Sequence, residues 1–238
     1  MSGHSHWATT HRQKEVNDAK RGAIFTKVGR LITIAAKGGG NPDMNFKLRL
    51  AVEAARAVNM PKDRIDRAIK VGTGEAKDGA LIEELVYEAY GPGQVALLIG
   101  AATDNRNRSV SDIKTILTKN GGKMVAEGAV VYLFKPCGEI VAPLGGKSVE
   151  EAELAAIEAG ADDVSFEEGS LIVITKPDEL QVVKEHLEKA GFTAESASLS
   201  YVPTQKTAAS PEDKEKLERL LELLDDHQDV QNIWDNLE

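Results

Sequence analysis

A glycine-rich stretch at residues 72–79 divides the 238-residue chain into two parts that differ in charge and in hydrophobic pattern. Residues 1–77 hold 15 Lys and Arg against 7 Asp and Glu, a balance of +8, whereas residues 78–238 have a balance of −17. The net charge of −9 hides this asymmetry, and nucleic-acid binding depends on the local field rather than on the total. Because glycine-rich segments are typical of linkers, the sequence predicts a domain boundary here.

Before this boundary, apolar residues recur with the period of an α-helix. Helices are predicted over residues 20–37, 43–58 and 61–71. In the first of them Ile24, Val28 and Ile32 fall on one face, while basic side chains lie on the flank and the opposite side. The first section is therefore predicted to be a three-helix unit with a basic exterior.

Beyond the boundary the pattern changes to short strands that alternate with helices. Residues 135–202 predict the order strand, helix, strand, strand, helix, strand, which matches a ferredoxin-like unit. Ahead of it, strands are predicted over residues 85–90, 95–101 and 125–134, with only one helix, over residues 107–120. These elements are too few to close a two-layer fold, and a further helix and strand are available at the C-terminus.

The predicted fold class is therefore α+β, with the ferredoxin-like unit inserted into a middle α/β domain that the C-terminus completes. The predicted domains are residues 1–77, residues 78–134 together with 203–238, and residues 135–202.

Signatures of catalysis are largely absent. The nearest approach to a phosphate loop, Gly145-Gly146-Lys147-Ser148, lacks the first glycine, because Val141 stands at its position. The single cysteine, Cys137, excludes an intramolecular disulfide and a cysteine-clustered zinc site, and we interpret it as a buried or incidental thiol. We expect no enzyme activity, small-molecule substrate, cofactor or metal. One alternative stays open: Ser2-Gly3-His4, after loss of Met1, has the donors for planar Cu(II) or Ni(II).

No apolar run approaches the roughly 20 residues of a membrane helix, and the N-terminus shows no basic-then-apolar leader. We therefore expect a cytoplasmic protein without a membrane partner.

Candidate nucleic-acid contacts lie in the N-terminal arm and on the helices. The arm supplies cations and one aromatic that suit a phosphate backbone and a stacked base, namely His4, His6, Trp7, Arg12, Lys14, Lys20 and Arg21. The helices supply Lys27, Arg30, Lys47, Arg49, Lys62, Arg64, Arg67 and Lys70. A tail whose Trp7 docks onto the helices is the alternative for the arm. Reversal of Lys27, Arg30 and Arg67 to Glu is expected to abolish binding and to leave the melting temperature nearly unchanged.

Arg106 and Arg108 stand near the start of a predicted helix, where cations oppose the helix dipole. A phosphate or carboxylate held there would explain them. An internal salt bridge to an acidic neighbour such as Glu83 or Glu84 is the alternative, and the sequence slightly favours it.

Several long motifs together resemble the YebC/PmpR family, which includes a mitochondrial translational activator of cytochrome c oxidase. They are GHSHWATTHRQKEVNDAKRGAIFTKVGRLITIAAKGGGNP, NMPKDRIDRAI, YEAYGPGQVALL, TDNRNRSVSDIKTIL and GAVVYLF. The resemblance implies the three domains above and a DNA-binding transcriptional regulator, or a ribosome-associated, ribosomal-RNA-binding factor that relieves stalling at proline-rich stretches. This chain departs from the family pattern at His6, where Lys is usual, and at Ala89 and Gln94, where glycines are usual.

Overall fold

The computed structural model describes residues 18–76 and 81–238, with side chains from residue 22 on. Within these residues it contains seven α-helices and two four-stranded antiparallel sheets. Phe134–Thr204 cluster into one unit, and the other described residues form a second. The predicted α+β fold class is confirmed, whereas the three-domain division stays a prediction.

The helical section consists of α1 (Asp18–Ala36), α2 (Phe46–Ala57) and α3 (Lys62–Gly72). Helix α1 packs against both of the others around a core that includes the fully buried Ile32 and Leu48. Helix α2 begins three residues later than predicted because Asn45 is its cap: the carboxamide oxygen accepts a hydrogen bond from Leu48 N at 3.1 Å.

The middle sheet joins residues from both sides of the inserted unit. Its strands are β1 (Glu83–Tyr90), β2 (Ala96–Thr103), β3 (Lys123–Met124) and β8 (Val230–Asp235), in the order β3-β1-β2-β8. Helices α4 (Arg106–Lys119) and α7 (Pro211–Asp225) share one core with this sheet, to which Ile99, Ile113 and Leu217 contribute. The C-terminal helix and strand therefore complete the sheet, as the element count predicted.

The predicted strand over residues 125–134 is wrong. Only Lys123–Met124 pairs with β1, and a 3₁₀ turn over Val131–Leu133 follows. The buried carboxylate of Glu88 accepts the backbone N–H groups of Gly128 (2.6 Å), Val130 (2.6 Å) and Val131 (2.9 Å). These donors would otherwise join a strand ladder, so the carboxylate holds the segment as a loop.

The inserted unit has the predicted ferredoxin-like order. Its elements are β4 (Phe134–Pro143), α5 (Val149–Ala159), β5 (Asp163–Glu167), β6 (Ser170–Thr175), α6 (Leu180–Lys189) and β7 (Ser196–Pro203), and its sheet order is β5-β6-β4-β7. Cys137 lies buried in β4, as interpreted from the sequence. Burial, with a smaller contribution from the charge of Glu139, raises the pKa of this thiol to about 12, which suppresses the nucleophilic thiolate.

Candidate nucleic-acid interface

The residues predicted to bind nucleic acid separate into groups with different surroundings. His4, His6, Trp7, Arg12 and Lys14 lie outside the described residues. Lys20 and Arg21 belong to α1, and their side chains also lie outside the description. The contribution of the arm therefore stays a prediction.

Lys27 and Arg30 face the end of α7 and the turn before β8. The ammonium of Lys27 lies 3.2 Å from Asp225 Oδ1 and donates to the carbonyl oxygen of the same residue, the last of α7, where the helix dipole favours a cation. Arg30 Nη1 donates to Asp229 Oδ1 and to the carbonyl oxygen of Gln228, both at 2.6 Å. These two cations tie α1 to the C-terminal segment.

This finding corrects the expected effect of charge reversal. A glutamate at position 30 would place a second carboxylate against Asp229, whose side chain is fully buried. Like charges at such a distance repel strongly where water does not screen them. We therefore predict that reversal of Lys27 and Arg30 lowers stability as well as changing the surface charge, and this prediction replaces the expectation of a nearly unchanged melting temperature.

Asp229 is the centre of this network, and sequence reasoning missed it. Its carboxylate also accepts hydrogen bonds from Thr103 Oγ1 at 3.0 Å and from Arg108 Nη2 at 3.1 Å. Burial by itself would raise the pKa of Asp229, but the hydrogen bonds from Arg108 and Thr103 and the charge of Arg30 outweigh it and hold the pKa below its ordinary value. No sequence signal separated Asp229 from the other acidic residues of the C-terminal region.

The two arginines at the start of α4 have different surroundings. Asn105 caps this helix by accepting from Arg108 N at 3.1 Å. The guanidinium of Arg108 pairs with Asp104 at 2.8 Å and with Asp229, so it forms an internal salt bridge, with carboxylates other than Glu83 and Glu84. Arg106 is exposed and makes no ion pair within residues 18–76 and 81–238. Anion binding at the start of α4 therefore stays a prediction. Arg106 is better placed for it than Arg108, whose guanidinium already pairs with carboxylates.

The remaining cations lie on α2 and α3. Exposed side chains are those of Lys47, Lys62, Arg64, Arg67 and Lys70, together with Arg56, which the sequence-based site did not include. Two guanidinium groups lie over aromatic rings: Arg49 over Phe46 at 5.9 Å and Arg64 over Phe25 at 5.5 Å. In the part of the chain that the structure describes, Lys47, Arg56, Lys62 and Lys70 pair with no carboxylate.

A groove of about 640 Å³ lies between α2, α3 and the loop that precedes α2. Its floor is apolar and consists of Val52, Met60, Ile65 and Ile69. Its rim carries the cations Arg56, Lys62 and Lys70 and the carboxylates Asp66 and Glu75. Lys62, Asp66 and Lys70 are four residues apart and so lie on one face of α3. The sequence predicted the cations but gave no sign of the groove.

The loop beside the groove is fixed by hydrogen bonds and by close packing. Asn45 Nδ2 donates to the carbonyl oxygens of Ala35 (2.7 Å) and Gly39 (2.8 Å). A Cβ at Gly40 would lie 2.8 Å from Thr73 Cγ2, so a larger residue at this position would require the Thr73 side chain or the loop to shift. The wall that the loop contributes is therefore held in place before any ligand binds.

Lys147, the lysine of the incomplete phosphate loop, has internal partners. Its ammonium donates to the carbonyl oxygen of Ala190 at 2.8 Å and lies 3.7 Å from the centre of the Phe192 ring. Ser148 caps α5. These contacts agree with the conclusion that the segment is not a phosphate-binding loop.

Two stretches of the chain match family descriptions of known proteins. Residues 5–75 match the "TACO1/YebC protein N-terminal domain", and residues 82–237 match the "TACO1/YebC second and third domain". The chain belongs to the TACO1/YebC family. The resemblance carried by the sequence motifs is thereby confirmed.

TACO1/YebC relatives align over nearly the whole chain. A protein of Caldanaerobacter subterraneus subsp. tengcongensis named "Probable transcriptional regulatory protein TTE1135" is 46% identical over 240 residues, which are 100% of this chain and 98% of that protein. A "Probable transcriptional regulatory protein" of Moorella thermoacetica is 48% identical over 241 residues, 99% and 95% of the two chains. The crystal structure of the conserved hypothetical protein Aq1575 of Aquifex aeolicus has a TM-score of 0.91 at 43% identity and covers 98% of this chain and 97% of its own.

The two positions at which the family resemblance implies glycine, Ala89 and Gln94, differ in conformation. Gln94 has a φ of 59°, in the left-handed region that favours glycine, and its side chain is exposed. Ala89 is fully buried in β1, where its methyl group packs in the core. The chain therefore keeps a glycine-like backbone at Gln94 and uses a side chain at Ala89.

Proposed function

We propose that this chain is a non-catalytic nucleic-acid-binding regulator of gene expression that acts in the cytoplasm as a DNA-binding transcriptional regulator. The observation that carries the proposal is the set of exposed cations on α2 and α3 that the ion-pair network leaves out: Lys47, Arg56, Lys62 and Lys70. Such cations displace counterions from a phosphate backbone, and this displacement supplies much of the affinity in protein–nucleic acid complexes.

The internal network strengthens the proposal by separating two kinds of cation. Lys27, Arg30 and Arg108 are used to hold the protein together, so their charges are neutralised by Asp225, Asp104 and Asp229. Among the described residues, no carboxylate pairs with Lys47, Arg56, Lys62 or Lys70 on α2 and α3. The names of the relatives, probable transcriptional regulatory proteins, support a regulatory role.

A second candidate is a ribosome-associated factor that binds ribosomal RNA. The groove between α2 and α3 favours it, because an apolar floor beneath cations suits an unpaired base better than a duplex. In addition, no helix-turn-helix signature with base-reading side chains stands out in the sequence. For this candidate, the family resemblance implies that the factor relieves stalling at proline-rich stretches.

Sedimentation of the tagged protein in a cell lysate distinguishes the two candidates. Lysate is left untreated or treated with RNase or DNase, at low and moderate salt. Association with nucleoid material that only DNase removes supports the transcriptional regulator. Comigration with ribosomal particles that survives DNase and disappears with RNase supports the translation factor. Sedimentation as an isolated protein under every condition contradicts both.

None of the described helices is both long enough and apolar enough to cross a membrane.

A further inference from the structure

From the groove between α2 and α3 we infer a binding site for a single unpaired nucleotide: its base would enter the groove and its phosphate would contact the rim. This inference rests on the proposed function and specifies the part of a nucleic acid that the helical section recognises.

The two chemical zones of the groove match the two parts of a nucleotide. The floor side chains Val52, Met60 and Ile65 are buried and apolar, and they offer van der Waals contact to the face of a base. The cations Lys62 and Lys70 stand on the rim, where they reach a phosphate without entering the apolar zone. A surface that only tracked a phosphate backbone would need no apolar floor.

Size and charge also agree with this occupant. The volume of about 640 Å³ lies within the roughly 300–1,000 Å³ of pockets that enclose small organic ligands. The three rim cations exceed the two rim carboxylates, Asp66 and Glu75, by one charge, which favours an anion. The carboxylate of Asp66 is an acceptor suited to the amino and imino groups of a base edge.

An unpaired nucleotide is required because the bases of a duplex are stacked upon one another. A base that enters the groove must leave its stack, and this costs least in a loop, a bulge or a single strand. The loop fixed by Asn45 keeps the wall of the groove in place, so the protein has little conformational freedom to lose on binding.

Glu75 provides a variant that separates bulk from charge. It is exposed, lines the groove, and its carboxylate accepts a hydrogen bond from Thr73 Oγ1 at 3.1 Å. Glu75→Trp places a bulky side chain at the lining of the groove and also removes a negative charge, so electrostatics alone would strengthen the binding of an anion. Glu75→Gln removes the same charge without the bulk and is the matched control.

The probes are RNA and DNA hairpins with 2-aminopurine in the loop, and a fully paired duplex carrying the same base. Binding is followed by anisotropy, and entry of the base into the groove by 2-aminopurine fluorescence. We expect the wild type and Glu75→Gln to raise the fluorescence of the hairpins but not of the duplex. Glu75→Trp should abolish this rise and weaken hairpin binding about tenfold, which is the scale of one base contact, with duplex affinity within twofold of wild type.

The two hairpins distinguish the source of the nucleotide: a response limited to the RNA hairpin assigns the site to RNA, and an equal response to both assigns it to any unpaired strand. Hairpin binding that Glu75→Trp leaves unchanged in affinity and fluorescence overturns the groove site but leaves the proposed function standing. Absence of binding to hairpin and duplex alike by the wild-type chain overturns the proposed function together with the site.

Discussion

Arg30 Nη1 lies 2.6 Å from Asp229 Oδ1, and this contact joins the first described helix to a carboxylate 199 positions further along the chain. The Arg30 side chain is 12% exposed and that of Asp229 is fully buried, so water screens the pair poorly. The Asp229 carboxylate also accepts hydrogen bonds from Arg108 and Thr103. A residue expected to bind nucleic acid is thus part of the connection between the helical section and the middle sheet.

Asp229→Asn should lower the free energy of unfolding by about 3–5 kcal/mol, because it leaves Arg30 and Arg108 facing each other without their shared carboxylate. Urea unfolding followed by circular dichroism measures the change. Asp226→Asn, three positions earlier and exposed, is the control and should unfold like the wild type. Equal unfolding midpoints for the two variants would contradict the role of Asp229.

The lowered pKa of Asp229 predicts that the free energy of unfolding depends on pH. Since the pKa of Asp229 is lowered in the folded state, its contribution is fully present above the ordinary aspartate pKa of about 3.9 and is lost as the pH falls through the lowered value. The difference in unfolding free energy between wild type and Asp229→Asn should therefore shrink below about pH 4. Unfolding curves at pH 7, 5, 3.5 and 2.5 test this, and a constant difference would count against it.

Glu88→Ala should release the loop over residues 126–133. Three backbone N–H groups lose their acceptor, and each buried donor left unsatisfied costs about 1–3 kcal/mol, so we expect a loss of roughly 3 kcal/mol or more. Amide hydrogen exchange at Gly128, Val130 and Val131 should become faster. The exposed Glu84, on the same strand, provides the control Glu84→Ala, which should leave these amides protected.

Gln94→Gly should stabilise the chain by about 0.5–1 kcal/mol, because glycine removes the strain of a φ of 59°. Ala89→Gly is the opposing control: it deletes a fully buried methyl group within a strand and should destabilise by about 1 kcal/mol. Thermal unfolding of both variants is the measurement. Destabilisation by Gln94→Gly would show that the exposed glutamine has a stabilising contact that outweighs the strain.

Periodicity predicted the helices and most of the strands because it depends on local burial, which the sequence records directly. Ile32 and Leu48, for example, are both fully buried. The prediction of a strand over residues 125–134 was wrong because the conformation of this segment depends on a distant partner. An apolar run there has its N–H groups taken by Glu88, about 40 positions earlier, and no local pattern reveals such a partner.

The candidate site was predicted in composition but not in detail. A helical wheel places Lys27 and Arg30 off the apolar face of α1, and it cannot distinguish solvent from a second packed segment. In the structure Lys27 forms an ion pair with Asp225, and Arg30 forms one with Asp229. The groove was missed because it arises from the spacing of two helices and the approach of the loop at Gly40, which are tertiary features.

The central claim is that the cations on α2 and α3 bind nucleic acid, and the most direct test is the salt dependence of binding. Lys47→Glu/Lys62→Glu/Lys70→Glu is compared with Lys114→Glu/Lys119→Glu/Lys189→Glu, which reverses three exposed lysines outside the helical section. Anisotropy of a labelled hairpin and duplex between 50 and 300 mM salt gives the slope of log Kd against log salt. We predict that the first variant loses most of its affinity and that its slope falls by about 3, one for each phosphate contact, while the second binds like wild type. Equal affinity and slope for the two variants would contradict the claim.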